Sequence, residues 1–412
     1  MTYGVPGQSR TPMQMSKKQA ALVMVGNKIK LRLEENREIT GNQVSIDWLR
    51  FTAPLGLNHE HIYFEDRPEY ARWLNLNARE NPELWIGSLY ERHALQARWM
   101  AEEVCHALGD EYYVDALIKR GRDFYQYRIS IMRENHECGW VGFVSATDSE
   151  HKAKQDKTLH VNLYGHACTF GQTGWQAKMQ TIIRAEKATI TRVDLAMDDF
   201  DCRPGFLQSV KDDYQLGLMD SGGKRLKCNM VGCWLDDGTG HSRSFYIGSK
   251  EAGKQTNVYE KGHQLFGAES GSTWTRIELR YGNKLRDIPC NVLTEPDQYF
   301  AGASDWHATQ LREYKLRNKI YKSTAPEGIK TKGRLPIETV EAEAYRNAKW
   351  LLNICGASLQ TAFTHLSENQ FLELICNKEK PGRLRKYSDS EIRGVYQKAF
   401  TRLTGTGAEV HA

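Results

Sequence analysis

Two short stretches constrain this chain more than any others: TRVDLAMDD, from Thr191 to Asp199, and TWTRIELR, from Thr273 to Arg280. Successive side chains of a strand point to opposite faces, so Val193, Leu195 and Met197 share one face while Arg192, Asp194, Ala196 and Asp198 share the other. The second stretch repeats the scheme, with Ile277 and Leu279 against Arg276, Glu278 and Arg280. If the two strands are neighbours in one sheet, three carboxylates lie on its polar face. Crowded carboxylates repel and shift one another's pKa, which is tolerable when a hard divalent cation such as Mg2+ or Mn2+ sits among them. Read alone, each stretch is equally an amphipathic strand with a solvated face.

Between them, FYIGSKEAGKQTNVYEKG (Phe245 to Gly262) reads as strand, Gly/Lys-rich turn, strand. Asn257, Tyr259 and Lys261 would share a face, setting a phenol beside an ammonium. A tyrosine hydroxyl, with its ordinary pKa of about 10, is a poor nucleophile unless a nearby cation favours the phenolate. In isolation Tyr259 reads as an edge-strand aromatic; the ordered set is what carries a functional reading.

That order, RVDLAMDD at 192–199, YIGS at 246–249, VYEKG at 258–262 and RIELR at 276–280, resembles the replication initiation factor family of rolling-circle plasmids, filamentous phages and integrative elements. The resemblance covers about 190–282 well and the strand at 44–53 loosely. It implies an enzyme that nicks one DNA strand and starts rolling-circle replication. In that scheme Tyr259 attacks the scissile phosphate, leaving a 5'-phosphotyrosine link and a free 3'-hydroxyl primer, and the same site later rejoins the strand. Asp194, Asp198 and Glu278 hold Mg2+ or Mn2+; Lys261, Arg192, Arg276 and Arg280 grip phosphate oxygens; Lys250 and Lys254 make wider phosphate contacts. Asp199 replaces Asp198 if the strand ends at Met197, and Glu260 is a ligand only if its strand bulges. The implied partners are single-stranded and duplex origin DNA, with host helicase, host polymerase and a second copy of the chain as further candidates. Two rivals stay open: a non-catalytic DNA-binding regulator, indifferent to Tyr259→Phe, and a metal-dependent hydrolytic nuclease, which leaves no protein on DNA.

The rest of the chain supplies the frame. With 412 residues, 40% of them hydrophobic and 26% charged, there is material for two or three domains of an ordinary globular kind. A net charge of +5 is too mild to identify a polyanionic partner by itself. No run of eighteen apolar residues and no signal-peptide core occurs, so no membrane partner and a cytoplasmic location in a bacterial host are expected. The nine cysteines show no zinc spacing and read as reduced thiols. His59 and His61 read as loop histidines, and GHACTFGQTG (165–174) fits no nucleotide-binding fingerprint.

The expected fold is α+β: a mainly antiparallel sheet with helices on its faces, a helical insertion and a C-terminal helical module. The expected divisions are a tail and basic helix (1–43), a catalytic domain (44–290) with a helical insertion at about 58–122, a basic connector (291–336) and a helical module (337–412). Lys17 to Glu35 reads as a basic helix whose Lys17, Lys18, Lys28, Lys30, Arg32 and neighbouring Arg37 are placed to touch phosphate. Val44 to Ala53 reads as the first strand of the catalytic sheet, and YYVDALIKRG (Tyr112 to Gly121) reads as helix.

Overall fold

A computed structural model describes residues 17–56, 68–81, 87–146, 156–221, 223–235, 240–331, 336–376, 384–385 and 387–404. The chain divides between Thr331 and Lys332 into two compact units.

The first unit is built on one sheet of ten described strands, every neighbouring pair antiparallel, in the order β2-β3-β4-β5-β1-β6-β10-β9-β8-β7. Its strands are β1 (Val44–Pro54), β2 (Tyr112–Arg120), β3 (Tyr125–Arg133), β4 (His136–Ser145), β5 (Thr158–Leu163), β6 (Thr189–Asp199), β7 (Cys228–Val231), β8 (Ser244–Ser249), β9 (Lys254–Tyr259) and β10 (Thr275–Gly282). The two acid-bearing strands, β6 and β10, are direct neighbours near its centre, with β1 and β9 flanking them. This is the expected α+β class with a mainly antiparallel sheet.

One face is apolar because the alternation in each strand points the same way. Val193, Leu195 and Met197 of β6, Ile277, Leu279 and Tyr281 of β10, Val258 of β9 and Phe245 and Ile247 of β8 are all buried in the main core. Helices cover that face: α3 (Gly87–Leu108) contributes Met100, Ala101 and Val104, and α5 (Trp175–Ala185) contributes Trp175, Met179 and Ile183. The shorter helices are α2 (Pro68–Glu80), α4 (Gly165–Phe170), α6 (Phe206–Gln215), α7 (Lys261–Phe266) and α8 (Pro296–Ala301).

Three expectations change. Tyr112–Arg120 is an edge strand and not a helix: Tyr-Tyr-Val is β-favouring, and it pairs with β3 around an irregularity between Val114 and Ile118. Residues 291–317 do not form a connector, because α8 and α9 (Asp305–Arg317) bury Phe300, Trp306 and Leu311 in the main core. The third is the helix α1 (Lys17–Thr40). Its Arg32 donates to the Gly171 carbonyl at 2.7 Å, and its Arg37 donates to the Asp198 carbonyl at 2.6 Å and the Tyr314 hydroxyl at 2.9 Å. These two arginines tie the helix to the sheet, so they are not offered to phosphate. His59 and His61 lie outside the described residues.

The second unit is helical: α10 (Pro336–Trp350), a π-helical turn at Leu351–Cys355, α11 (Gly356–His365), α12 (Glu368–Cys376) and α13 (Asp389–Thr404). Val340, Ala344, Leu384 and Val395 form its own small core. Among the described residues no helix is long and apolar enough to cross a membrane.

Candidate active site

The polar face of the central strands is an ordered grid. Register aligns Trp48, Asp194, Arg280 and Gln255 in one row across β1, β6, β10 and β9. The next row runs Ala196, Glu278, Asn257 and Tyr246, and the one after it Asp198, Arg276, Tyr259 and Ser244, across β6, β10, β9 and β8. Tyr259 is therefore the diagonal neighbour of Glu278, within reach of a long side chain. Its hydroxyl donates to Glu278 Oε2 at 3.4 Å. Both border a cavity of about 470 Å3 whose wall includes Arg243, Tyr246, Lys250, Gln255, Asn257 and Arg280.

One acid of this site, Asp47, escaped the sequence reading. The register of β1 against β6 slips between Ile46 and Trp48. A bulge lets two consecutive residues face the same way, so Val44 and Ile46 before it and Leu49, Phe51 and Ala53 after it all stay in the core. Asp47 is the extra residue, turned to the polar face. A strict period of two does not show this; the signal was an aspartate between two buried apolar positions of one strand.

The three acids named as metal ligands do not gather. Asp198 is fully buried, receives Arg276 Nε at 2.8 Å and Nη2 at 3.0 Å, and accepts from Trp274 Nε1 at 2.6 Å. Burial alone would raise its carboxyl, but the Arg276 guanidinium overrides that and holds it below the usual range. With its oxygens committed, Asp198 is a structural anion. Asp194 is nearly as buried and receives Arg192 at 2.9 Å and Arg280 at 3.2 Å. Asp199 pairs with Arg317, and Glu260 receives Arg243 at 2.7 Å and lies 3.1 Å from His263 Nδ1, so neither stands in as a ligand. Among the described residues no three His, Cys, Asp or Glu side chains are placed to hold a metal ion.

Glu278 differs from the other acids. Burial, followed by the charges of Asp47 and Asp194, pushes its carboxyl up to about 7. Arg280 pairs with it only loosely, at 3.9 Å. Asp47 commits Oδ1 to Arg276 at 2.6 Å. Glu278 borders the cavity and is repelled by Asp47, and such a pair suits a hard cation such as Mg2+, which usually keeps several waters and takes one or two protein carboxylates plus substrate phosphate. The donor chemistry fits a divalent ion at Glu278 and Asp47; the larger set with Asp198 does not.

The phenol is not activated as expected. Burial raises the Tyr259 hydroxyl well above 10, Glu278 and Asp47 raise it further, and Arg276 opposes them without prevailing. Tyr259 is a neutral donor in this state, and Glu278 is its acceptor. Lys261 is not on the strand, since β9 ends at Tyr259 and Lys261 opens α7. Its ammonium nevertheless sits 5.7 Å from the Tyr259 ring centre, and burial lowers it to about 8.

The cations expected on DNA separate into two groups. Arg276 is only 2% exposed and spans Asp198 and Asp47, so it organises the site from below and cannot grip phosphate. Lys254 lies on the other face and donates to the Ala303 carbonyl at 2.9 Å, as its even spacing from buried Thr256 and Val258 dictates. Arg280 and Lys250 border the cavity, and Arg192 stacks over Trp48 at 4.5 Å on the same face. Arg243 was missed because its strand begins one residue later.

No curated protein matches the chain in sequence. A rolling circle replication initiator protein from Geobacillus stearothermophilus is similar in structure, at 17% identity and a TM-score of 0.39, over 66% of this chain and 84% of that one. The sequence model described as replication initiation factor matches residues 188–374, which include both acid strands, the tyrosine hairpin and the start of the helical unit. The chain is thus similar to the replication initiation factor family over residues 188–374, and this is the family its motif order resembles.

Proposed function

We propose that this chain is a rolling-circle initiator that cuts one strand of origin DNA by transesterification at Tyr259. The observation that carries the reading is the Tyr259 hydroxyl bonded to Glu278 at the wall of an arginine- and lysine-edged cavity, inside the region similar to that family.

The Tyr259 oxygen attacks the scissile phosphorus, the bond from phosphorus to the 3'-oxygen breaks, and the phosphate stays on the tyrosine as a 5'-phosphotyrosine. The phenolic proton passes to Glu278 Oε2, which already accepts it in a hydrogen bond. The departing 3'-oxygen takes up a proton and becomes the hydroxyl from which a host polymerase extends. Because one phosphodiester is exchanged for another, the step reverses without ATP and the strand can be rejoined. Arg280 and Lys250, with Arg243, approach nonbridging oxygens, and the Lys261 ammonium faces the ring that acquires negative character. Arg276 holds Asp47 and Asp198 in place beneath them.

A divalent cation held by Glu278 and Asp47 would polarise a phosphate oxygen and offset the charge that builds up during attack. Asp194, buried between Arg192 and Arg280, keeps the second of these pointed along the sheet.

The test is incubation with single-stranded origin DNA and Mg2+ or Mn2+, followed by a denaturing gel. A DNA band retarded by covalently bound protein, lost in Tyr259→Phe and without metal, is expected. Cut DNA with no adduct would mean water is the nucleophile, and no cutting at all would mean a binding regulator.

A further inference from the structure

The cavity beside Tyr259 is larger than a phosphate needs. Its volume of about 470 Å3 falls within the roughly 300 to 1,000 Å3 of sites that enclose small organic ligands. Beyond the charged groups and Tyr259, its wall includes the ring of Tyr246 of β8, the amides of Asn257 and Gln255 of β9 and of Gln264, and two serines. Asn257 sits at the middle of that wall, with Tyr246 as its cross-strand partner on one side and Glu278 on the other. It lies two residues from the nucleophile on the same face.

Asn257 also carries an unexplained polar atom. Its Oδ1 is buried and has no hydrogen-bond partner among the described residues. A buried carbonyl oxygen left unpaired costs about 1 to 3 kcal/mol, so native proteins rarely keep one without a use. The terminal torsion of asparagine is broad and nearly two-fold, and a turn about it swings the amide edge towards the cavity. Side-chain amides are among the groups that read base edges in pairs, and aromatic rings stack bases of any sequence. A phosphate, itself an acceptor, would not satisfy the Asn257 oxygen, and neither a phosphate nor a metal hydrate would stack on the ring.

We propose that the cavity takes one unstacked nucleotide next to the scissile phosphate, with its base hydrogen-bonded by Asn257 and lying against Tyr246. This rests on the nicking reading and adds to it a residue that chooses the base at the cut. Arg280 and Lys250 would hold the backbone whatever the base, whereas Asn257 would distinguish one base from another.

The experiment needs no knowledge of the origin. The full chain is incubated with Mg2+ and a pool of randomised single-stranded oligonucleotides. Covalent adducts are isolated under denaturing conditions, and both the linked and the released strands are sequenced. For the parent protein, one of the two nucleotides flanking the junction should be enriched in a single base over its least favoured rival by about tenfold, within the roughly 5- to 150-fold of a paired amide contact. Asn257→Ala and the similarly sized Asn257→Leu should both flatten that one position, while enrichment elsewhere in the captured sequences persists. Undiminished enrichment at the junction in both variants, or random bases there with the parent protein, would overturn the inference and leave nicking by Tyr259 standing. Absence of any adduct with the parent protein would overturn the nicking reading and this inference together.

Discussion

Glu278 shows how a single side chain divides the demands on this site. Its carboxyl is raised to about 7, first by burial and then by Asp47 and Asp194, so folding favours its protonated form. The stability linked to that proton is fully present below about 4.5, the ordinary value, and is lost as pH rises through about 7. Glu278→Gln keeps the neutral shape at every pH. In the metal-free protein the variant should melt with the parent at pH 4.5 and above it at pH 8, by an amount on the order of 2 kcal/mol, measured by thermal unfolding across that range. Equal melting at pH 8 would show that the carboxylate is not crowded. Arg276 makes the opposite case. Arg276→Ala strands the buried Asp198 carboxylate and should cost about 3 to 5 kcal/mol, and Arg276→Lys should recover only part because a single ammonium cannot span Asp198 and Asp47. Denaturant titration decides it, and a loss under 1 kcal/mol would mean that the pair is solvated. At this scale parity was a good guide: it placed Asp194, Arg280, Glu278, Asn257 and Tyr259 on one face. It could not reveal that Asp198 would be consumed by Arg276, since pairing within a face depends on register, which alternation alone does not fix.

At the scale of elements, the bulge in β1 decides which acid comes within electrostatic reach of Glu278. From Arg192 to Asp199 β6 pairs with β10 without a break, and its Asp194 and Asp198 are held by arginines; Asp47 arrives through one of the two irregular steps between β1 and β6. Asp47→Asn should leave the fold intact, because Arg276 keeps its two bonds to Asp198. The variant should weaken adduct formation at limiting Mg2+ by at least about tenfold, read as a shift in the metal concentration that gives half-maximal adduct. An unchanged metal response would remove Asp47 from the cation site. Strands with strong alternation and the helices at 87–108 and 175–185 were legible in the sequence. Tyr112–Arg120 was not, because Tyr112 and Tyr113 are followed by Asp, Ala and Leu at spacings that also satisfy a helix. The core-forming role of 291–317 was hidden by charge: Lys315 is buried against Asp297 at 2.7 Å, and Asp297 in turn accepts the backbone N–H groups of Gln43 and Val44 at the start of β1. That pair ties the last helices of the first unit to the strand that carries Asp47.

On the scale of the whole molecule, two units with separate cores imply two unfolding events. The second unit rests on Val340, Ala344, Leu384 and Val395, a far smaller core than that of the first. Calorimetry of the full chain should show a weaker transition below the main one, and Val340→Ala should lower only that transition; one cooperative peak shifted as a whole would contradict it. The match to the replication initiation factor model runs from 188 to 374 and so crosses the division at Thr331, while β1 to β5 and α1 to α5 lie before the match. The catalytic reading nevertheless depends on one atom. Adducts formed with single-stranded DNA and Mg2+ can be digested with protease and nuclease and the modified peptide sequenced by mass spectrometry. The account predicts a nucleotide phosphate esterified to Tyr259 and to no other side chain; a phosphate on a different residue, or cleaved DNA with no modified peptide, would contradict it.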